Sequence, residues 1–210
     1  MDNNIKYRIG IIGSENSHAG GFSKEFNVAG RDGKFAFPGF RVTHIGGHYP
    51  EESEKVAAEY GIGTVVGDPS EMLGKVDAVM VTARDGKYHA GFARPFVEAG
   101  VPAFVDKPFT VSVDEAEGLI RLAKSKGVPL CGGSSLKFAY DALILRNAVA
   151  EAGDRVQGGT VTAPLAPGSP YSGFYFYSPH LAEITLTVFG YRPLSATARE
   201  NRGAVTAIID

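Results

Sequence analysis

Apolar and polar positions alternate in blocks through the first 133 residues. Short apolar runs of strand length occur at Tyr7–Ile12, Phe40–Ile45, Thr64–Val66, Asp77–Thr82, Val101–Val105 and Val128–Cys131. Runs without a polar face suit strands buried on both sides. Segments of helical composition or spacing separate them: Ala19–Val28, Glu51–Tyr60, the brief Pro69–Leu73, and Lys87–Ala99 with Pro95 placed to kink it. Ser112 and Glu115 have capping-box spacing, Ala116, Leu119, Ile120 and Ala123 then recur on one helical face, and Gly127 ends the run. Six strands alternating with helices predict an α/β fold, a doubly wound parallel sheet.

The pattern changes after that. Leu136–Ala152 reads as one long helix closing on Gly153, Gly158–Pro164 as a strand, and Ala166–Ser172 as a Pro/Gly/Ser loop. Tyr175–Phe189 reads as an aromatic turn and helix, and Leu194–Arg199 and Ala204–Ile209 as two further strands. The expected division is 1–133 and 134–210, the second part being the start of an α/β domain with an open sheet. Three strands and one helix make a poor independent core. The expectation is a fragment, or a sheet completed by a second copy; such an apolar sheet would make the chain a homo-oligomer or poorly soluble.

Composition narrows the class. The chain has 210 residues, 44% hydrophobic and 21% charged, as an ordinary globular protein does. A net charge of −2 gives no reason to expect nucleic acid or an anionic membrane as partner. The single cysteine, Cys131, excludes an intrachain disulfide and fits a reducing compartment. The opening MDNNIKYRIGIIG carries an acid at position 2 and too short an apolar run for a signal peptide, and no apolar segment approaches a membrane span. A cytoplasmic location is expected.

The first chemical candidate is Asp106-Lys107-Pro108, where the fifth strand breaks. The carboxyl ends of strands in an open parallel sheet face the ligand crevice. A Lys there can reach a ligand while Pro108 fixes the turn behind it.

The order of motifs resembles the Gfo/Idh/MocA family, named for glucose–fructose oxidoreductase and inositol dehydrogenase. The resemblance runs through RIGIIG at Arg8–Gly13, the strand Asp77–Thr82, HAGFARPFVEAG at His89–Gly100, and DKP in place of the family's usual Glu-Lys-Pro. It continues through GGSSLKF at Gly132–Phe138 and PHLAEITLTVFG at Pro179–Gly190. It implies a Rossmann dinucleotide-binding domain over 1–133, then a substrate and oligomerisation domain. The implied activity is oxidation or reduction of a hydroxyl or carbonyl of a sugar, cyclitol or related small polyol, with NAD or NADP as cofactor. Cofactor contacts are implied at Gly13, Ser14, Asn16, Ser17, His48 and the Asp106-Lys107-Pro108 turn. Lys107 would polarise the substrate oxygen and His180 would carry the proton, with His89, Tyr177 and Glu183 as substrate-side candidates.

The sequence departs from the family pattern in three places. Glu15 and His18 stand where the second and third glycines of the dinucleotide loop are expected, and Glu15 would crowd and repel a pyrophosphate. Gly47, followed by His48, replaces the acid that would bind the adenosine ribose, which removes a reason to reject NADP. Phe176 replaces the Asp four residues before His180, and either Tyr177 or Glu183 could substitute for it. These losses motivate a rival: a sugar-binding, regulatory or inactive relative without dinucleotide binding. His18, His89 and His180 lack short ligand spacing, so no metal is expected.

Overall fold

The computed structural model describes residues 5–210, and the chain divides into two compact units, one ending at Gly132 and the other spanning Gly133–Asp210. The first is a six-stranded sheet, all parallel, in the order β3-β2-β1-β4-β5-β6. Its strands are β1 (Tyr7–Ile12), β2 (Phe40–Gly46), β3 (Thr64–Val66), β4 (Ala78–Val81), β5 (Ala103–Val105) and β6 (Leu130–Gly132). Helices α1 (Ser17–Asn27), α2 (Pro50–Tyr60), α3 (His89–Glu98) and α4 (Val113–Lys126) connect them, as the alternating blocks predict.

β1 is central because its side chains serve two cores. Ile9 and Ile11 pack with Val42, Ile45, Ala19 and Ala57 on one face, while Ile12 joins Val79, Val81, Phe96, Val105 and Leu119 on the other. Ile11 and Ile12 are fully shielded, and each such side chain contributes about 1.5–3 kcal/mol. α4 keeps its expected pattern: Ser112 accepts from the Glu115 amide, Leu119 and Ala123 are buried, and Gly127 caps it in the left-handed region. Ile120 is half exposed, so the buried stripe is narrower than the spacing suggests.

Several boundaries move. α1 begins at Ser17 rather than Ala19, because Asn16 accepts from the His18 amide and opens the helix there. β5 begins only at Ala103, after Pro102, whose nitrogen cannot donate to a ladder. Lys87 and Tyr88 belong to a 3₁₀ turn, Gly86–Tyr88, and α3 carries Pro95 inside it.

The second unit departs further from expectation. The long helix over 136–152 is broken: Ser135–Phe138 is a 3₁₀ turn, Ala139 is extended, and α5 covers Tyr140–Ala152. Residues 158–164 form no strand. Gly159 lies against the Phe189 ring, so this segment packs on the end of α6 (Ser178–Phe189) rather than entering a ladder. The sheet is a two-stranded antiparallel hairpin of β7 (Ala196–Asn201) and β8 (Ala204–Ile209). Every β7 residue is exposed. Among the described residues no helix is long and apolar enough to cross a membrane.

Candidate functional site

The strand order reverses between β1 and β4, so their carboxyl ends open the crevice where such sheets bind ligands. The β1 turn is built on close approach. Gly13 has φ +96°, and a Cβ there would lie 2.3 Å from the Ala83 nitrogen. Gly47, at the end of β2, has φ +155°, and its Cβ would lie 3.0 Å from the Gly13 nitrogen. An acidic side chain at Gly47 would have to grow from a Cβ pressed against the β1 turn.

The residues after Gly13 tie the turn to its neighbours. Ser14 is buried and its Oγ lies 2.8 Å from Ser53 Oγ of α2. Asn16 Nδ2 donates to the Thr82 carbonyl, while Oδ1 accepts from the His18 amide at 2.7 Å. Ser17 is exposed. Glu15 does not extend into the crevice as its position suggests: Oε1 accepts the Arg84 amide at 2.8 Å, and Oε2 is buried with no hydrogen-bond partner among the described residues. His18 Nδ1 meets Asp106 Oδ2, joining the first turn of α1 to the end of β5. Two departures from the family pattern, His18 for Gly and Asp106 for Glu, therefore contact each other.

The turn after β5 is braced from beneath. Asp106 is 4% exposed and its amide donates to Val81. His89 is fully shielded, with Nδ1 2.6 Å from the Pro108 carbonyl and Nε2 2.7 Å from the Ala83 carbonyl. Both nitrogens thus lie on backbone carbonyls, and the ring braces the turn that holds Pro108. Lys107 is half-buried. Burial pushes its ammonium pKa below the ordinary lysine value, Arg84 adds in the same direction, and the Asp106 carboxylate opposes them. His48 is exposed and rests edge-on against Tyr88, with ring centroids 4.4 Å apart, and beside Phe92.

The second unit carries its own cluster. Ser134 is fully shielded, its Oγ 2.6 Å from His180 Nδ1 in the first turn of α6. The Ser134 amide donates to Glu183 Oε1 at 2.7 Å, and Lys137 Nζ donates to Oε2 at 2.6 Å. Gly133 makes this possible: at φ +94° its Cβ would lie 2.4 Å from Glu183 Oε1. Glu183 therefore binds GGSSLKF to α6 with both oxygens. Phe176, at the family's Asp position, packs against Tyr171 and Tyr177. Tyr177 is exposed, with its ring 6.1 Å from that of His180.

The structure thus brings Gly13, Ser14, Asn16, Asp106, Lys107 and Pro108 to one end of the parallel sheet, and His180, Tyr177 and Glu183 to one end of α6. Sequence reasoning did not single out Arg84, Ser134 or Lys137, nor the pairing of His18 with Asp106. Ser134 and Lys137 lie inside the GGSSLKF motif, but only the tertiary contact with α6 reveals which of its residues matter. Among the described residues no group of three or more His, Cys, Asp or Glu side chains could hold a metal ion. An apolar cavity of about 550 Å³ lies against Tyr7, Phe26, Phe40, Phe104 and Cys131, and none of the site residues borders it.

Residues 7–133 match the family model described as an oxidoreductase family with an NAD-binding Rossmann fold. An uncharacterized oxidoreductase of Escherichia coli K12, YdgJ, is 30% identical over 94% of this chain and 57% of its own length. The NAD(+) scyllo-inositol 2-dehydrogenase of Bacillus subtilis is 29% identical over 65% of this chain and 37% of its own. The solved structure of UDP-N-acetylglucosamine 3-dehydrogenase from Acidithiobacillus ferrooxidans superposes with a TM-score of 0.71 at 22% identity, covering 97% of this chain and 65% of that one. This chain spans less than two thirds of the length of these relatives. With the model match covering more than half of it, the chain belongs to the Gfo/Idh/MocA oxidoreductase family, whose NAD-binding Rossmann fold it carries.

Proposed function

We propose that the protein is an NAD(P)-dependent oxidoreductase acting on a hydroxyl or carbonyl of a sugar, cyclitol or related small polyol. The observation that supports it most is the turn at the switch point: Gly13 at φ +96° leads directly into the N-terminus of α1, with Lys107 at the end of β5. A helix N-terminus offers unpaired N–H groups and a positive dipole end to a pyrophosphate. The residues fit that group because Glu15 folds its carboxylate back onto the Arg84 amide instead of filling the cradle. The side chains of Ser14 and Asn16 are spent on internal bonds, so contacts at residues 14–17 would come from backbone amides and from the exposed Ser17.

Bound nicotinamide would accept or supply the hydride. Lys107 is the acid–base candidate of the unit ending at Gly132, and His180 that of the unit beginning at Gly133. Pro108 and the His89 brace hold the Lys107 turn in place. His48, which packs on Tyr88 and Phe92, would meet an adenosine-side phosphate. The unit ending at Gly132 binds the dinucleotide; the one beginning at Gly133 contributes to substrate binding and to self-association through the exposed β7–β8 hairpin. The relatives' dehydrogenation of scyllo-inositol and of a UDP-sugar supports the polyol class.

The second reading, a relative without dinucleotide binding, is favoured by Glu15 and His18 in place of two loop glycines. Titrating the purified protein with NADH and NADPH, followed by cofactor fluorescence, separates the two. Saturable micromolar binding is expected. No binding at millimolar cofactor would overturn the oxidoreductase reading in favour of the second.

A further inference from the structure

The hydrogen-bond inventory of Ser134 fixes more than the position of His180. The Ser134 hydroxyl has one proton and two lone pairs. The Leu136 amide, 3.2 Å from Oγ, can only donate and so claims a lone pair. The proton has one available acceptor among the described residues, His180 Nδ1 at 2.6 Å. Turned the other way, so that Nδ1–H donated to Oγ, the hydroxyl proton of a fully shielded residue would be left without an acceptor. We infer that Ser134 is a positioning residue that sets the tautomer of His180: its hydroxyl donates to Nδ1, and neutral His180 carries its own proton on Nε2.

The hydroxyl is held in turn. Its amide is bonded to Glu183 Oε1, and Glu183 lies on α6 one turn beyond His180, with its second oxygen on Lys137. Ser134, His180 and Glu183 therefore form a closed loop of contacts that fixes the imidazole ring in rotation as well as in protonation. The meaning of this for turnover rests on the oxidoreductase reading. An Nε2–H ring donates a hydrogen bond to a substrate oxygen and offers it no lone pair. In this tautomer His180 polarises a substrate oxygen rather than taking its proton, the reverse of the role the family resemblance implies for it.

The test is nitrogen NMR of the ¹⁵N-histidine-labelled chain, with long-range correlations across the imidazoles. The chain has 5 histidines, and loss of one spin system in His180→Gln assigns the ring. Above the pH where the ring is neutral, His180 is expected to show a pyrrole-type Nε2 and a pyridine-type Nδ1. Ser134→Ala should collapse that separation toward the averaged shifts of mixed tautomers, and Ser134→Thr, which keeps the hydroxyl, should restore it. A pyrrole-type Nδ1 in the unmodified protein overturns the inference whatever the variants do. So does a pattern unchanged in a folded Ser134→Ala. Failure to bind NADH and NADPH would remove the oxidoreductase reading yet leave the tautomer standing, so the two failures are distinguishable.

Discussion

Replacing Gly133 by Ala tests whether the Ser134–His180–Glu183 arrangement depends on a missing side chain. The new Cβ would stand 2.4 Å from Glu183 Oε1 and 2.6 Å from Oε2, with the backbone held at φ +94°. The left-handed backbone alone costs about 1–2 kcal/mol for an L side chain. The carboxylate is the far end of a flexible side chain, so it retreats rather than deforming the main chain. The cost is therefore what it leaves behind. The buried Ser134 amide loses its acceptor, worth about 1–3 kcal/mol. The Lys137 ion pair, whose side chains are 18% and 21% exposed, is weakened by about 1 kcal/mol. A loss of about 3–6 kcal/mol is expected overall, a large part of a domain's stability. Gly203→Ala, in the β7–β8 turn, is the control: φ is +79° but nothing lies within 4 Å of the added Cβ, so about 1–2 kcal/mol is expected. Urea unfolding read by far-ultraviolet circular dichroism and tyrosine fluorescence measures both, since the chain has no tryptophan. Adding Glu183→Ala should abolish the excess at Gly133, giving a coupling of about 2–4 kcal/mol. Equal losses at the two glycines, or an excess that survives removal of Glu183, would refute the reasoning.

Four further outcomes are expected. Burial depresses the pKa of Lys107, so above that lowered value the native state releases a proton that the unfolded chain keeps until about 10.5. Stability should therefore rise with pH across that window, and Lys107→Met should flatten the rise in pH-resolved urea titrations. Lys107→Ala should also remove most turnover on an identified substrate while leaving the fold intact. His18→Ala takes away the ring that meets the buried Asp106 carboxylate and should cost about 1–3 kcal/mol in the same assay; a neutral result would mean the contact is not formed. Glu15→Gln removes a negative charge beside the α1 N-terminus and should tighten NADH binding by roughly fivefold, read by fluorescence titration.

The apolar runs by themselves determined the parallel sheet, because a strand buried on both faces can tolerate few polar residues. Tyr7–Ile12 and Asp77–Thr82 announce themselves in this way, and Gly127 and Ser112 mark the ends of α4 through backbone chemistry that is local. The Asp106-Lys107-Pro108 turn was legible for the same reason, as a polar break after an apolar strand. The chain beyond Gly133 was far less legible. Residues 158–164 have strand-like composition, yet a strand exists only where another backbone accepts it, and here the segment packs on Phe189 instead. The reach of individual side chains was equally hidden. Glu15 looks like an obstruction in the dinucleotide loop until the Arg84 amide is found waiting for it, and His18 looks like a lost glycine until Asp106 is found beside it. Ser134 is one of two serines in GGSSLKF, and nothing local distinguishes them. The fold of the chain brings α6 against one of them, and that contact, between residues 46 positions apart, makes it the partner of His180.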